Sequence, residues 1–234
     1  IDKCEYIIPE YQLKRSILIS NPRIEHLYGL PKVHKSYILI RLVMSFVHSL
    51  TYKLALFLNV WSLNVYNFHS FFCNSSNLVG KLLEAEPLPA NSILVSFDVV
   101  GLYPNVPVLS SVLLSILEFI DILENAKITP PTINDFIALL KLCLQPNFCQ
   151  LNNSTSSPSE FIDVSTGSPI AFLVAEAFMG VFEKLVFSND SERTCFIHYC
   201  YPYADDILCQ WTGTSSQLQS FLAHINSQFP LSLQ

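Results

Sequence analysis

The chain has 234 residues, of which 50% are hydrophobic and 14% charged, with a net charge of −6. This composition supports a packed core and excludes a disordered chain. No apolar run reaches the roughly 18 uninterrupted residues of a membrane helix, because the best candidate, 170-IAFLVAEAFMGVF-182, is broken by Glu176.

Residues 1–45 mix polar and apolar positions, with Pro9, Pro22, Gly29 and Pro31 as breakers, and read as loops and short strands. A helix follows over 49–63, with Leu50, Leu54, Phe57, Leu58 and Trp61 on one face. Residues 70–86 read as a loop and then a helix capped by Ser76 or Asn77. The stretch 92-SILVSFDV-99 is short and rich in strand formers, the pattern of a buried strand. A turn at 101–107 ends on Pro107, which suits the first turn of a helix over 108–123. Another helix spans 132–144, with Thr132 as its cap. The polar stretch 151–160 reads as a hairpin loop, 168–187 as a long buried helix, and 195–211 as two short strands around a turn. An amphipathic helix over 214–229 comes last. This order of elements is α+β.

Charge is uneven along the chain. Eight of the 13 Lys and Arg but only four of the 19 Asp and Glu lie within residues 1–53. The N-terminal quarter is therefore basic and the remainder acidic, which argues against a general nucleic-acid coat protein and leaves room for a local anion site. Seven scattered cysteines without a C-x-x-C pair read as thiols of a reduced, intracellular protein. Cys195, His198 and Cys200 lack the second ligand pair of a zinc site. No nucleophile elbow and no Gly-rich phosphate loop is present. His34 and His48 read as surface residues, and Phe172, Phe178 and Phe182 as core. The opening 1-IDKCEYIIPEYQLKR-15 has no signal-peptide pattern and no initiator Met, as expected of an internal piece of a longer frame.

Two adjacent aspartates interrupt the apolar run 201-YPYADDILCQW-211. Carboxylates are rarely buried unless paired or metal-bound. Hard divalent cations such as Mg²⁺ take oxygen ligands, and a two-metal phosphoryl-transfer site holds its ions about 3.5–4 Å apart. Such a site needs carboxylates from separate parts of the chain. Asp205-Asp206 in a turn could form one side, and Asp98, at the end of 93-ILVSF-97, the other. Tyr103, five residues beyond Asp98, could pack beside a bound sugar. The plainer alternative is a turn residue at a strand end and a solvated hairpin in an unrelated α+β domain.

The segments 96-SFDVVGLYPNVP-107 and 203-YADD-206 resemble motifs A and C of reverse transcriptases. The stretch 28-YGLPKVHK-35 is similar to the fingers of the Penelope-like retroelement enzymes. So are 41-RLVMS-45, 50-LTYKLALFL-58 and 167-GSPIAFLVAEAFMGVFE-183, in the order that family shows. The resemblance implies a right-hand polymerase fold, with fingers and part of the palm in 1–90 and the palm with its catalytic motifs in 91–234. It implies that Asp98, Asp205 and Asp206 are the catalytic residues, holding two Mg²⁺ or Mn²⁺ ions. Tyr103 would be the gate against a ribose 2′-hydroxyl, Lys35 and Arg41 the contacts to the incoming triphosphate, and Gly167-Ser168 the turn beside template and nucleotide. The implied function is an RNA-directed DNA polymerase that transfers deoxynucleotides to a primer 3′-hydroxyl on an RNA or DNA template, away from membranes and in the nucleus.

The family continues past the catalytic hairpin into a basic thumb, so the resemblance implies that the thumb is missing and that this fragment is inactive alone. The alternative within the same origin is a catalytically dead relic or nucleic-acid-binding fragment. Departures from the family pattern are Leu42 for the Pro after Arg41, Ala171-Phe172 for a Ser-Pro, Glu160 and Asp163 before the long helix, and Pro202 within a strand.

Overall fold

The computed structural model describes residues 3–33, 39–65, 75–84, 89, 91–100, 102, 119–144, 149–151, 154–156, 167–187, 194–203 and 206–228. In chain order the elements are α1 (Tyr11–Ile17), β1 (Glu25–Pro31), β2 (Ile40–Ser45), α2 (Tyr52–Val65), α3 (Ser75–Glu84), β3 (Ile93–Asp98), α4 (Pro130–Leu144), β4 (Cys149–Leu151), β5 (Ser154–Ser156), α5 (Ala171–Phe187), a 3₁₀ turn (Thr194–Phe196), β6 (Ile197–Tyr203), β7 (Asp206–Trp211) and α6 (Ser215–Gln228). Residues 119–125 are also helical. The chain is α+β, as its sequence pattern predicts.

The strands form two sheets. One has the order β2-β1-β4-β5 and the other β3-β7-β6. The second is antiparallel throughout, while the first contains one parallel pair, β1 with β4. One continuous core joins Ile8 of the N-terminal segment, Leu58 of α2, Phe136 and Leu140 of α4, Phe178 and Phe182 of α5, and Ile207 and Trp211 of β7. Trp211, fully buried, has the rings of Phe196 and Phe221 at 5.4 and 5.5 Å. A second, much smaller cluster under the first sheet consists of Met44 and Phe46, flanked by Leu27 and Tyr52. Among the described residues no helix is long and apolar enough to cross a membrane.

Local chemistry explains where elements start. Pro130 and Pro131 open α4, where their missing N–H groups cost nothing. The Ile133 N–H donates to the Thr129 carbonyl, so Thr129 stands at the cap position. Thr132, the expected cap, lies inside the first turn, its hydroxyl 2.9 Å from that of Thr129. Helix α6 opens with a reciprocal capping box: the Thr214 N–H donates to Gln217 Oε1 at 2.7 Å, and the Gln217 N–H donates to Thr214 Oγ1 at 3.3 Å. The helix expected over 49–63 begins at Tyr52, which leaves Leu50 exposed in the preceding turn rather than on the buried face. His48 makes that turn with a φ of 67°, and its carbonyl accepts the Arg23 N–H.

Three further expectations are modified. Helix α3 starts at Ser75, one residue before the expected cap. Phe178 and Phe182 are buried, but Phe172 is only half-buried. Strand β3 is apolar in sequence yet exposes Ile93 and Leu94, with only Phe97 fully buried. It lies at one end of its three-stranded sheet, so its outer edge leaves these side chains uncovered. Pro202 fits because β6 is the opposite outer strand, where a lost ladder donor is tolerated. The turn at 101–107 and the start of the helix expected over 108–123 lie outside the described residues, apart from Leu102.

Candidate functional site

The hairpin β6–β7 is built by alternation. Ile207, Cys209 and Trp211 turn inward and are buried, while Asp206 between turn and core is exposed. Tyr203 pairs with Asp206, so residues 204 and 205 make the connection. Strand β3 pairs with β7 in a register that sets Asp98 directly opposite Asp206. Opposed residues of an antiparallel pair share a face, with Cα atoms about 4.5–5.5 Å apart. Two carboxylates thus meet from positions more than a hundred residues apart, Asp98 half-buried and Asp206 exposed. Like charges so placed disfavour the pairing by about 0.2–1 kcal/mol. A divalent cation between them reverses the sign of that contribution.

Asp205 is the chain neighbour of Asp206 and lies outside the described residues, as do Lys35 and Tyr103. Among the described residues no group of three or more His, Cys, Asp or Glu is gathered for a metal ion. Among the described residues, Asp98 and Asp206 bring carboxylate oxygens to the β3–β7 junction. That chemistry fits Mg²⁺ or Mn²⁺ and not a soft metal.

The same face carries a stripe that extends away from the carboxylates. Ser96, Leu208 and Tyr201 stand in one row, and Leu94, Gln210 and Tyr199 in the next. The rings of Tyr199 and Tyr201 lie 6.2 Å apart and nearly parallel, at 8°. Lys81 of α3 places its ammonium 5.8 Å from the Tyr201 ring centre. Gln210 is 2% exposed, and neither polar atom of its amide has a hydrogen-bond partner among the described residues. The alternating aromatics of 199-YCYPY-203 were a sequence signal for this stripe. Lys81 and Gln210 had none, because sheet register and helix docking bring them in.

Arg41, Gly167 and Ser168 gather around β2. Arg41 lies on that strand, opposite Leu30, and is exposed. Gly167 packs so closely on the backbone of β2 that a Cβ there would overlap the Met44 carbonyl oxygen. Only glycine fits, which gives the sequence's Gly-Ser pair a packing reason. Ser168 starts α5: its carbonyl accepts the Ala171 N–H at 3.0 Å and its Oγ the Ile170 N–H at 3.4 Å. The described site residues therefore fall into two groups, the carboxylates on one sheet and the basic strand with its glycine turn on the other.

Glu25 begins β1 and is 5% exposed. Burial pushes its carboxyl above the ordinary range, partly offset by its own backbone. Nothing in the sequence pattern marks Glu25 as buried.

No protein-family model matches the chain, and no curated protein matches it. Among solved structures it is similar to the RNA-dependent RNA polymerase from bacteriophage phi12, at a TM-score of 0.48 and 12% identity. That likeness takes in 88% of this chain and 35% of the polymerase, so the chain spans about a third of that protein's length.

Proposed function

We propose that the chain is the fingers and palm part of a template-directed nucleotide polymerase, a reverse transcriptase of the Penelope-like kind. The observation that carries this reading is the register pair Asp98–Asp206, which unites the two separate carboxylate motifs on one sheet face. Asp98, Asp205 and Asp206 would hold Mg²⁺ or Mn²⁺. When bound, such ions supply the positive charge that a primer 3′-hydroxyl and a leaving pyrophosphate require. The chain's own residues bind and orient. Arg41 and Lys35 present positive charge to a triphosphate, and the planar guanidinium suits its oxygens. Tyr103 excludes a 2′-hydroxyl. The Gly167-Ser168 turn, lacking a side chain at its first position, keeps the template path close to β2. Tyr201 and Tyr199, with Lys81 above Tyr201, offer a stacking row for the end of the primer.

The test has a binding arm and an activity arm. Mn²⁺ titrated into the full chain in a calorimeter gives a binding isotherm and raises the unfolding temperature, as any ligand specific to the folded state does. Asp98→Asn and Asp205→Asn each lose the isotherm while unfolding as cooperatively as the parent. In the intact element, Asp205→Asn abolishes primer extension. Equal Mn²⁺ binding by the parent and both variants, or normal extension by Asp205→Asn, would remove the metal-ligand assignment.

A further inference from the structure

The hairpin that carries Asp205-Asp206 also carries a pair of cysteines that the polymerase reading does not use. Cys200 of β6 and Cys209 of β7 are directly opposite in register. Their sulfurs are 3.2 Å apart, both as thiols. A directly opposed antiparallel pair has a Cα separation of about 4.5–5.5 Å, inside the window of about 4.4–6.8 Å that a disulfide accepts. Closing the remaining sulfur gap needs a small side-chain rotation and no shift of register. Cys200 is half-buried and within reach of a small oxidant, whereas Cys209 is 1% exposed and stands in the core.

We propose that Cys200 and Cys209 are an oxidation site, at which a peroxide converts the dithiol into a cross-strand disulfide that staples the hairpin. Hydrogen peroxide takes the sulfur of Cys200 to a sulfenic acid and leaves as water. The Cys209 sulfur then attacks that sulfur, the S–O bond breaks, and the hydroxyl leaves as a second water with the Cys209 proton. Two thiols are oxidised and one peroxide is reduced. Three other cysteines whose side chains are described do not compete for the bond. Cys4 and Cys143 are buried in the core, and burial pushes the Cys143 thiol up to about 12 and raises that of Cys4. Cys195 is exposed, but it sits in the 3₁₀ turn before β6 and is not paired in the sheet. The disulfide would bracket the Asp-bearing turn, with residues 201–203 on one side and 206–208 on the other, and so fix the β6–β7 register that sets Tyr203 opposite Asp206.

The measurement is a peptide map of the full chain after brief treatment with hydrogen peroxide. Remaining thiols are alkylated in denaturant without reductant. The expected result is a Cys200–Cys209 linked peptide, lighter than the two thiol peptides by two hydrogens, and an unfolding temperature about 5 °C higher, as expected for a loop of this length in a chain of this size. In Cys209→Ser, Cys200 is recovered as a trapped sulfenic acid and the linked peptide is lost. Oxidation of Cys195 with Cys200 and Cys209 both still alkylated would overturn the proposal. This outcome is independent of Mn²⁺ binding and primer extension.

Discussion

The two sheets solve the same problem with unequal means. The sheet β3-β7-β6 rests on the continuous core through Ile207, Cys209 and Trp211. The sheet β2-β1-β4-β5 rests on Met44 and Phe46 with two flanking residues, and leaves Tyr28, Leu30 and Ile40 45–62% exposed. The first carries Asp98 and Asp206 at one end and is anchored. The second is basic at Arg41 and thinly supported. Its firm attachments are backbone ones: the full ladder between β1 and β2, and the seat of Gly167 on Met44. A sheet seated on the main core holds its register more firmly than one seated on two buried residues, so the pairing of Asp98 with Asp206 is the better fixed.

The sharpest way to break the contrast is to remove one anchor from each sheet. Trp211→Ala takes a fully buried ring from between Phe196 and Phe221 and destabilises the chain by about 3–5 kcal/mol. The loss shows as an earlier midpoint in denaturant, and the β3 and β7 amides exchange faster along with it. Met44→Ala raises exchange in β1 and β2 while leaving the β7 amides near their parental rates, because local openings cost less than global unfolding. Identical exchange changes in both sheets would show that the contrast is false. Second in size is Gly167→Ala, which forces the turn off β2. It destabilises by about 1–3 kcal/mol, as overpacking does, with the exchange increase again confined to β1 and β2.

The smallest effect is electrostatic. Burial raises the Glu25 carboxyl, so the folded state favours its protonated form. The stabilisation is complete below the ordinary carboxylate range and is lost as pH rises through the raised value. Glu25→Gln removes that slope, so its midpoint exceeds the parent's at neutral pH and the two converge under acid conditions. A parallel pH dependence in parent and variant would show that Glu25 is solvated, and the first sheet less tightly closed at β1 than its burial indicates.

Much of this was visible in residue patterns. The alternation of Ile207, Cys209 and Trp211, broken by Asp206, revealed a hairpin with a charged turn. The polar stretch 151–160, expected as a hairpin loop, does lie at a hairpin, but Ser154–Ser156 within it is a strand, β5, paired with β4. What stayed hidden was register, which is set by long-range packing. Nothing in 93-ILVSF-97 shows that Ile93 and Leu94 stay exposed, since a continuous apolar run fits a strand covered on both faces equally well. Nothing near Asp98 shows that its partner across the ladder is Asp206. Thr129 was overlooked because two prolines separate it from the apolar pattern of α4, and Thr132 satisfied the same rule at the wrong position.

The outer strand β6 carries two irregularities, Pro202 and the register shift between Ile197 and Tyr199 that leaves His198 as the extra residue. Both spoil a strand edge as a template for another chain, the first by removing a donor and the second by bending the backbone. The Asp-bearing turn is therefore attached to a margin that resists recruiting foreign β-structure. Self-association through β6 is suppressed by the same residues that look, in sequence, like flaws in a strand.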